Sequence, residues 1–336
     1  MQKKLITLVF GCISFSLFSQ TEKNEKQNSF SIEIFDDEAL QVIDSNAEIE
    51  VIGKGFTWTE GPLWIEDGNY LLFSDIPSNK IFKIDADKNT SEYLYPAGYT
   101  GKTPRGGELG SNGLLLNAKG ELLMMHHGDR RVAKMNAPLN KPKPNFSSLT
   151  DNYNNKRFNS PNDATFDGNG NLYFTDPPYG LVLGVDDPAK ELDFQGVYCL
   201  KSSGELVLVA TLSRPNGIAF STDGSKLYVS VSDPKHAVWY QYDMVSTGRV
   251  ENKQLFYDAT NLVGKEGYQG LPDGMKMHSK GYLFATGPGG VFIFNSKAKL
   301  MAKIHTGEKT SNCAFTKDEK TLFLTADDYV MKVSLK

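Results

Sequence analysis

Cysteine and histidine are scarce in this chain, with three and five residues among 336, so thiol and imidazole chemistry have few sites to draw on. No Cys-x-x-Cys pair and no His-Glu-x-x-His occur, which argues against a dithiol redox centre and a zincin. A Gly-x-Ser-x-Gly elbow, a Walker loop and a Rossmann glycine pattern are missing too, which argues against an elbow-type serine hydrolase and nucleotide enzymes. There is no long stretch of helical apolar periodicity from Ser31 onward, and no apolar run long enough to span a bilayer comfortably. An excess of positive charge is also lacking: the formal charge is −4, so neither nucleic acid nor an anionic membrane surface is an expected partner.

The first twenty residues differ in kind from the rest. Lys3 and Lys4 precede an uncharged apolar run from Leu5 to Phe18, the layout of a secretory signal with cleavage near Ser19 or Gln20. Plain export to a periplasmic or secreted location is favoured over lipoprotein anchoring through Cys12, because Phe10 is bulky and the apolar run continues past Cys12. Removing residues 1–20 takes away two lysines and no acids, leaving a formal charge of −6. Residues 21–30 are mostly polar and charged and read as a flexible leader. Cys199 and Cys313 then remain, and they can pair only if the fold brings them close.

Residues 31–336 are rich in short β-type runs bounded by Asp-Gly, Asn-Gly, Lys-Gly and Ser-Gly turns, such as Lys226-Leu-Tyr-Val-Ser-Val and Thr321-Leu-Phe-Leu-Thr. A phrase recurs six times among them: Glu60-Gly-Pro-Leu-Trp, Asn112-Gly-Leu-Leu-Leu, Asn162-Asp-Ala-Thr-Phe, Asn216-Gly-Ile-Ala-Phe, Asp273-Gly-Met-Lys-Met and Asn312-Cys-Ala-Phe. The intervals between anchors are 52, 50, 54, 57 and 39 residues, which fits one four-stranded propeller blade per copy. The last copy has 25 residues from Asn312 to Lys336, enough for three strands, and Ala47-Glu-Ile-Glu-Val-Ile-Gly can supply the fourth. The expected fold is therefore an all-β, six-bladed propeller with an N-terminal strand closing the last blade. Two β-sandwiches would not require phase-locked anchors.

In a propeller, equivalent positions on the innermost strands ring the central channel. Taken singly, an Asn or Asp before a strand is well explained as turn chemistry. Glu60 is not, because Glu is a poor turn residue. Two carboxylates and several carboxamide oxygens around one axis suit a hard cation, Ca²⁺ best, with Mg²⁺ or Mn²⁺ acceptable; Zn²⁺ usually recruits His or Cys.

Thr59-Glu-Gly-Pro-Leu-Trp, Arg157-Phe-Asn-Ser-Pro-Asn-Asp, Phe174-Thr-Asp-Pro-Pro-Tyr-Gly, Arg214-Pro-Asn-Gly-Ile-Ala-Phe, Leu271-Pro-Asp-Gly-Met-Lys, Thr286-Gly-Pro-Gly-Gly-Val and Thr310-Ser-Asn-Cys-Ala-Phe occur in that order. Together they resemble the SMP-30/gluconolactonase family of six-bladed propellers. The resemblance implies a divalent metal held by Glu60, Asn162, Asn216 and Asp273, and hydrolysis of a sugar-derived lactone. The metal would act as Lewis acid, with Asp273 as general base for water. Asn112 and Asn312, at equivalent positions, are candidates to contact substrate or water. Arg157, Asp163 and Tyr179 are candidates to hold sugar hydroxyls, and His126, beside His127 at a strand end, is put forward as a proton shuttle. Two other readings share these residues: a non-catalytic calcium-binding propeller, and a related metal-dependent esterase or phosphotriesterase.

Overall fold

The structure, a computed structural model, describes residues 30–336. The signal expected over residues 1–20 and the leader, apart from its last residue Phe30, lie outside the described residues. Six antiparallel sheets follow one another, one per repeat, and the chain forms a six-bladed β-propeller. The innermost strands are Thr59–Ile65, Ser111–Leu116, Ala164–Phe166, Pro215–Phe220, Met275–Met277 and Thr310–Phe315. Each packs against the innermost strand of the next blade, and the sixth returns to the first.

The ring closes as the strand count requires. Ile49–Lys54 pairs antiparallel with Tyr329–Ser334 and completes the sixth blade, with Val51 opposite Met331. Both ends of the ring are thus joined in one sheet, which removes an open edge. One addition had no counterpart in the repeat: Ser31–Ile34 pairs with Leu300–His305 as a fifth, outermost strand of blade five.

Apolar side chains from adjacent blades fill the space between sheets. Trp239 of blade four is fully buried against Phe292 and Phe294 of blade five. Phe284, Ile293, Leu324 and Met331 join blades five and six. Each such side chain contributes about 1.5–3 kcal/mol through burial. Cys199 and Cys313 are both buried and free, in separate clusters, so they do not form a disulfide. Among the described residues no helix is long and apolar enough to cross a membrane.

The glycines after four of the six anchors have a tertiary cause rather than a turn cause. A Cβ on Gly61, whose φ is +53°, would stand 2.1 Å from the Asn112 carbonyl oxygen, and one on Gly217 would stand 2.2 Å from that of Asp273. The next blade's anchor passes too close to the axis for any side chain to intervene. Hydroxyls on the second strands lock the same contact: Ser74, Thr175 and Ser230 donate to the carbonyls of Asn112, Asn216 and Asp273 at 2.9, 2.6 and 2.8 Å. The ring of anchors is therefore held through its backbone, which leaves the anchor side chains free for the channel.

Candidate metal centre and substrate channel

A cavity of about 550 Å³ opens at one end of the channel, and Glu60, Asn112, Asn162, Asn216 and Asp273 form its polar floor. Its upper wall is built from loops and carries Trp58, Tyr179, Val263, Tyr268 and Leu271. Five of the six anchors thus reach one space, although they are separated by up to 213 positions in the chain.

The floor oxygens have little to bond with in the protein. Oδ1 atoms of Asn112, Asn162, Asn216 and Asp273 are buried with no hydrogen-bond partner. Buried oxygens without partners are costly, so four around one cavity point to something that satisfies them from outside the chain. Glu60 adds a carboxylate whose Oε2 accepts from the Gly61 amide at 2.9 Å and from Asn312 Nδ2 at 3.3 Å.

Electrostatics point the same way. Burial, and then the charge of Asp163, push the Glu60 carboxyl up to about 8. Burial, and then the charges of Glu60, Asp163 and Glu108, hold Asp273 well above the usual carboxylate range. A concentration of buried acids is stabilised by a bound cation, which favours the ionised form of each. Among the described residues no three side chains of His, Cys, Asp or Glu converge to hold an ion by themselves, so a centre here depends on the carboxamide oxygens. An all-oxygen donor set of two carboxylates and neutral carbonyls suits Ca²⁺, Mg²⁺ or Mn²⁺ better than Zn²⁺.

Asn312 stands apart from the other anchors. Its Oδ1 accepts from the Cys313 amide at 2.9 Å and its Nδ2 reaches Glu60, so it supports a carboxylate instead of offering an oxygen. Asp163 is buried beside the ring, with Oδ1 accepting from the Ala164 amide at 2.9 Å and Oδ2 3.9 Å from Lys276 Nζ. Tyr179 lines the cavity and donates to the Ser232 carbonyl at 3.1 Å, and burial raises its pKa so that the phenol stays protonated.

Arg157 and His126 do not reach the cavity. Arg157 is exposed in a separate surface groove with Asp129 and Arg131, and its guanidinium donates to the Asp129 carbonyl at 3.0 Å. His126 lies opposite Ser111 as Asp75 lies opposite Thr59 in blade one, and Asp75 there accepts from the Thr57 and Trp58 amides. The corresponding Asp176 of blade three accepts from the Asn159 and Ser160 amides, so His126 stands at a structural corner. Its ring packs edge-on against Phe146 and is buried away from the channel floor.

The neighbouring residue, His127, is the one that meets the ring. Its Nε2 is 3.4 Å from Asn162 Nδ2 and its Nδ1 is 3.0 Å from Glu108 Oε2. Of two adjacent strand-end histidines only one can face inward, and the Asp75, His126 and Asp176 correspondence identifies which. Glu108, Trp58 and Tyr268 lie on irregular loops outside the repeat, where no periodic signal marks them.

Residues 58–328 match the profile described as the SMP-30/Gluconolactonase/LRE-like region. The chain belongs to the SMP-30/gluconolactonase family. Within it, the chain is 39% identical over 300 residues to a gluconolactonase of Zymomonas mobilis, covering 88% of this chain and 83% of the relative. A gluconolactonase structure from Xanthomonas campestris superposes with a TM-score of 0.78 at 27% identity, over 91% of this chain and 95% of that one. Diisopropyl-fluorophosphatase of Loligo vulgaris is 28% identical over 179 residues, covering 51% of this chain and 55% of the relative. Glu60 of Glu-Gly-Pro-Leu-Trp, Asn216 of Pro-Asn-Gly-Ile-Ala-Phe and Asp273 of Pro-Asp-Gly-Met lie on the floor of the cavity.

Proposed function

We propose that this chain is an exported, metal-dependent hydrolase that opens a sugar-derived lactone. The observation that carries this reading is the set of partnerless buried oxygens of Asn162, Asn216 and Asp273 around one cavity with Glu60. The gluconolactonase relatives support the substrate class. The signal-like residues 1–20 support export.

Glu60, Asn162, Asn216 and Asp273 would hold the cation, with Ca²⁺ favoured by the all-oxygen donors. Bound there, it supplies positive charge for the oxyanion that develops on the lactone carbonyl oxygen. Asp273 is the base: its carboxylate lines the cavity, and the oxygen not committed to the cation takes a proton from the attacking water. The water oxygen bonds to the carbonyl carbon, the ring carbon–oxygen bond breaks, and the ring oxygen leaves as an alcohol carrying the proton from Asp273. Tyr179 stays protonated, and with its proton on the Ser232 carbonyl its hydroxyl oxygen can accept from a substrate hydroxyl. Trp58 and Tyr268 line the cavity wall and offer aromatic area to the C–H face of a sugar ring.

The aromatic upper wall also favours a second reading, hydrolysis of lipophilic esters or phosphotriesters. Proton release from a panel of aldonolactones, aryl esters and a phosphotriester, after chelation and re-addition of Ca²⁺, Mg²⁺, Mn²⁺ or Zn²⁺, separates the two. Metal-restored turnover of aldonolactones above the other classes is expected. No metal-dependent lactone hydrolysis across the panel overturns the proposal.

A further inference from the structure

A carboxamide is a two-faced ligand. Its planar end presents either an oxygen or an NH₂ group, and only the oxygen binds a cation. Something behind each ligand asparagine must decide which end faces the channel.

For Asn216 the deciding group is Ser232. Asn216 Nδ2 donates to Ser232 Oγ at 3.0 Å, and the Ser232 hydroxyl donates its own proton to the Pro272 carbonyl. With that proton committed, Oγ can only accept, so the NH₂ end of Asn216 must point at it. For Asn162 the same logic runs through His127. Glu108 Oε2 stands 3.0 Å from Nδ1, out of line for a hydrogen bond but close enough for its charge to favour the ring proton on that nitrogen, which leaves Nε2 to accept from Asn162 Nδ2 at 3.4 Å. Rotating either amide would set its oxygen against an acceptor lone pair. In both, Oδ1 is left buried, unpartnered and turned to the cavity. Asn312 is the contrast within the same ring. Its oxygen is held by the Cys313 amide and its NH₂ faces the Glu60 carboxylate, so its orientation is that of a donor.

We infer that Ser232 and the Glu108–His127 pair are positioning residues that turn the oxygens of Asn216 and Asn162 toward the channel, and so pre-form a cation site before any ion arrives. This rests on the cation reading above. It assigns work to three residues outside the proposed ligand set, and it explains a His fully buried beside a Glu at the channel wall. Pre-formed oxygens cost nothing to reorganise on binding, which is how groups behind metal ligands raise affinity.

The test is calcium affinity, measured by titration calorimetry on the metal-stripped full chain, for the parent and for Ser232→Ala, His127→Leu and His127→Gln. Ser232→Ala and His127→Leu are expected to weaken binding about 10–100-fold. His127→Gln, whose side-chain oxygen can again accept from Asn162 Nδ2, is expected to recover most of the loss, which a role in packing alone does not predict. Ser232→Ala removes only one oxygen atom and keeps the test decisive if a His127 variant does not fold. Parent-like affinity in Ser232→Ala and in folded His127→Leu overturns the inference while leaving the cation reading intact. A parent that binds no divalent ion overturns both.

Discussion

Burial opposes ionisation of Asp273, from blade five, and the charge of Glu60, from blade one, opposes it further. Both carboxyls consequently titrate above their ordinary range in the metal-free protein, Glu60 at about 8 against 4.5.

A pH dependence of stability follows. In the unfolded chain Glu60 ionises above its ordinary 4.5, while in the metal-free fold it keeps its proton up to about 8. The unfolded state therefore binds fewer protons across that window, and stability falls as pH rises through it. Thermal melting in a chelator is expected to give a higher midpoint near pH 5 than near pH 8. Saturating Ca²⁺ is expected to abolish or reverse the trend, since the cation favours both ionised carboxylates. A chelated protein that is more stable at pH 8 contradicts the electrostatic account.

His126 and Arg157 separate structure from function. His126→Gln should lower stability by about 1–3 kcal/mol, as expected for a buried corner residue, and leave kcat/KM for an aldonolactone close to the parent's. Arg157→Ala, in a groove apart from the cavity, should leave KM unchanged. Denaturant melts and steady-state kinetics check both. A large loss of kcat/KM without loss of stability in His126→Gln restores it to the catalytic apparatus.

Much of the cavity floor is legible in the repeat itself. Glu60, Asn112, Asn162, Asn216 and Asp273 share a phase in the repeat, and phase in a propeller maps directly onto position around the axis. Asn312 shares that phase yet holds Glu60, because its oxygen is taken by its neighbour's amide, a detail that periodicity does not encode. His126 was the weaker of two adjacent choices, and only its register opposite Ser111 shows that it fills a corner. Arg157 precedes an anchor phrase but sits on a small hairpin, Asn152–Tyr153 with Lys156–Arg157, that turns away from the channel. Glu108 and Tyr268 come from loops whose path is set by tertiary contacts alone. The strand Ser31–Ile34 reads as β, but nothing local says which blade edge it joins.

Gly217 tests the ring itself. A methyl group there meets the Asp273 carbonyl oxygen at 2.2 Å, and backbone cannot yield as a flexible side chain would. Gly217→Ala should cost about 1–3 kcal/mol or more by overpacking, and should weaken Ca²⁺ binding by displacing Asp273. Denaturant melts and calorimetry check this. Gly224→Ala provides the control, since its Cβ would meet open space and only its positive φ of +69° is strained. Equal effects in the two variants count against close approach of the anchors as the reason for the glycine.

On the proposed reading, one channel combines a cation site with Asp273 as the base that activates water. Its most direct test is the rate of aldonolactone hydrolysis by metal-stripped full chain as Ca²⁺ is restored, for the parent and for Asp273→Asn at saturating Ca²⁺. The parent should recover turnover in step with ion binding, and Asp273→Asn should remain about 10²–10⁴-fold slower with its site filled. Parent turnover indifferent to Ca²⁺ and the other divalent ions, or an Asp273→Asn variant as fast as the parent, contradicts the account.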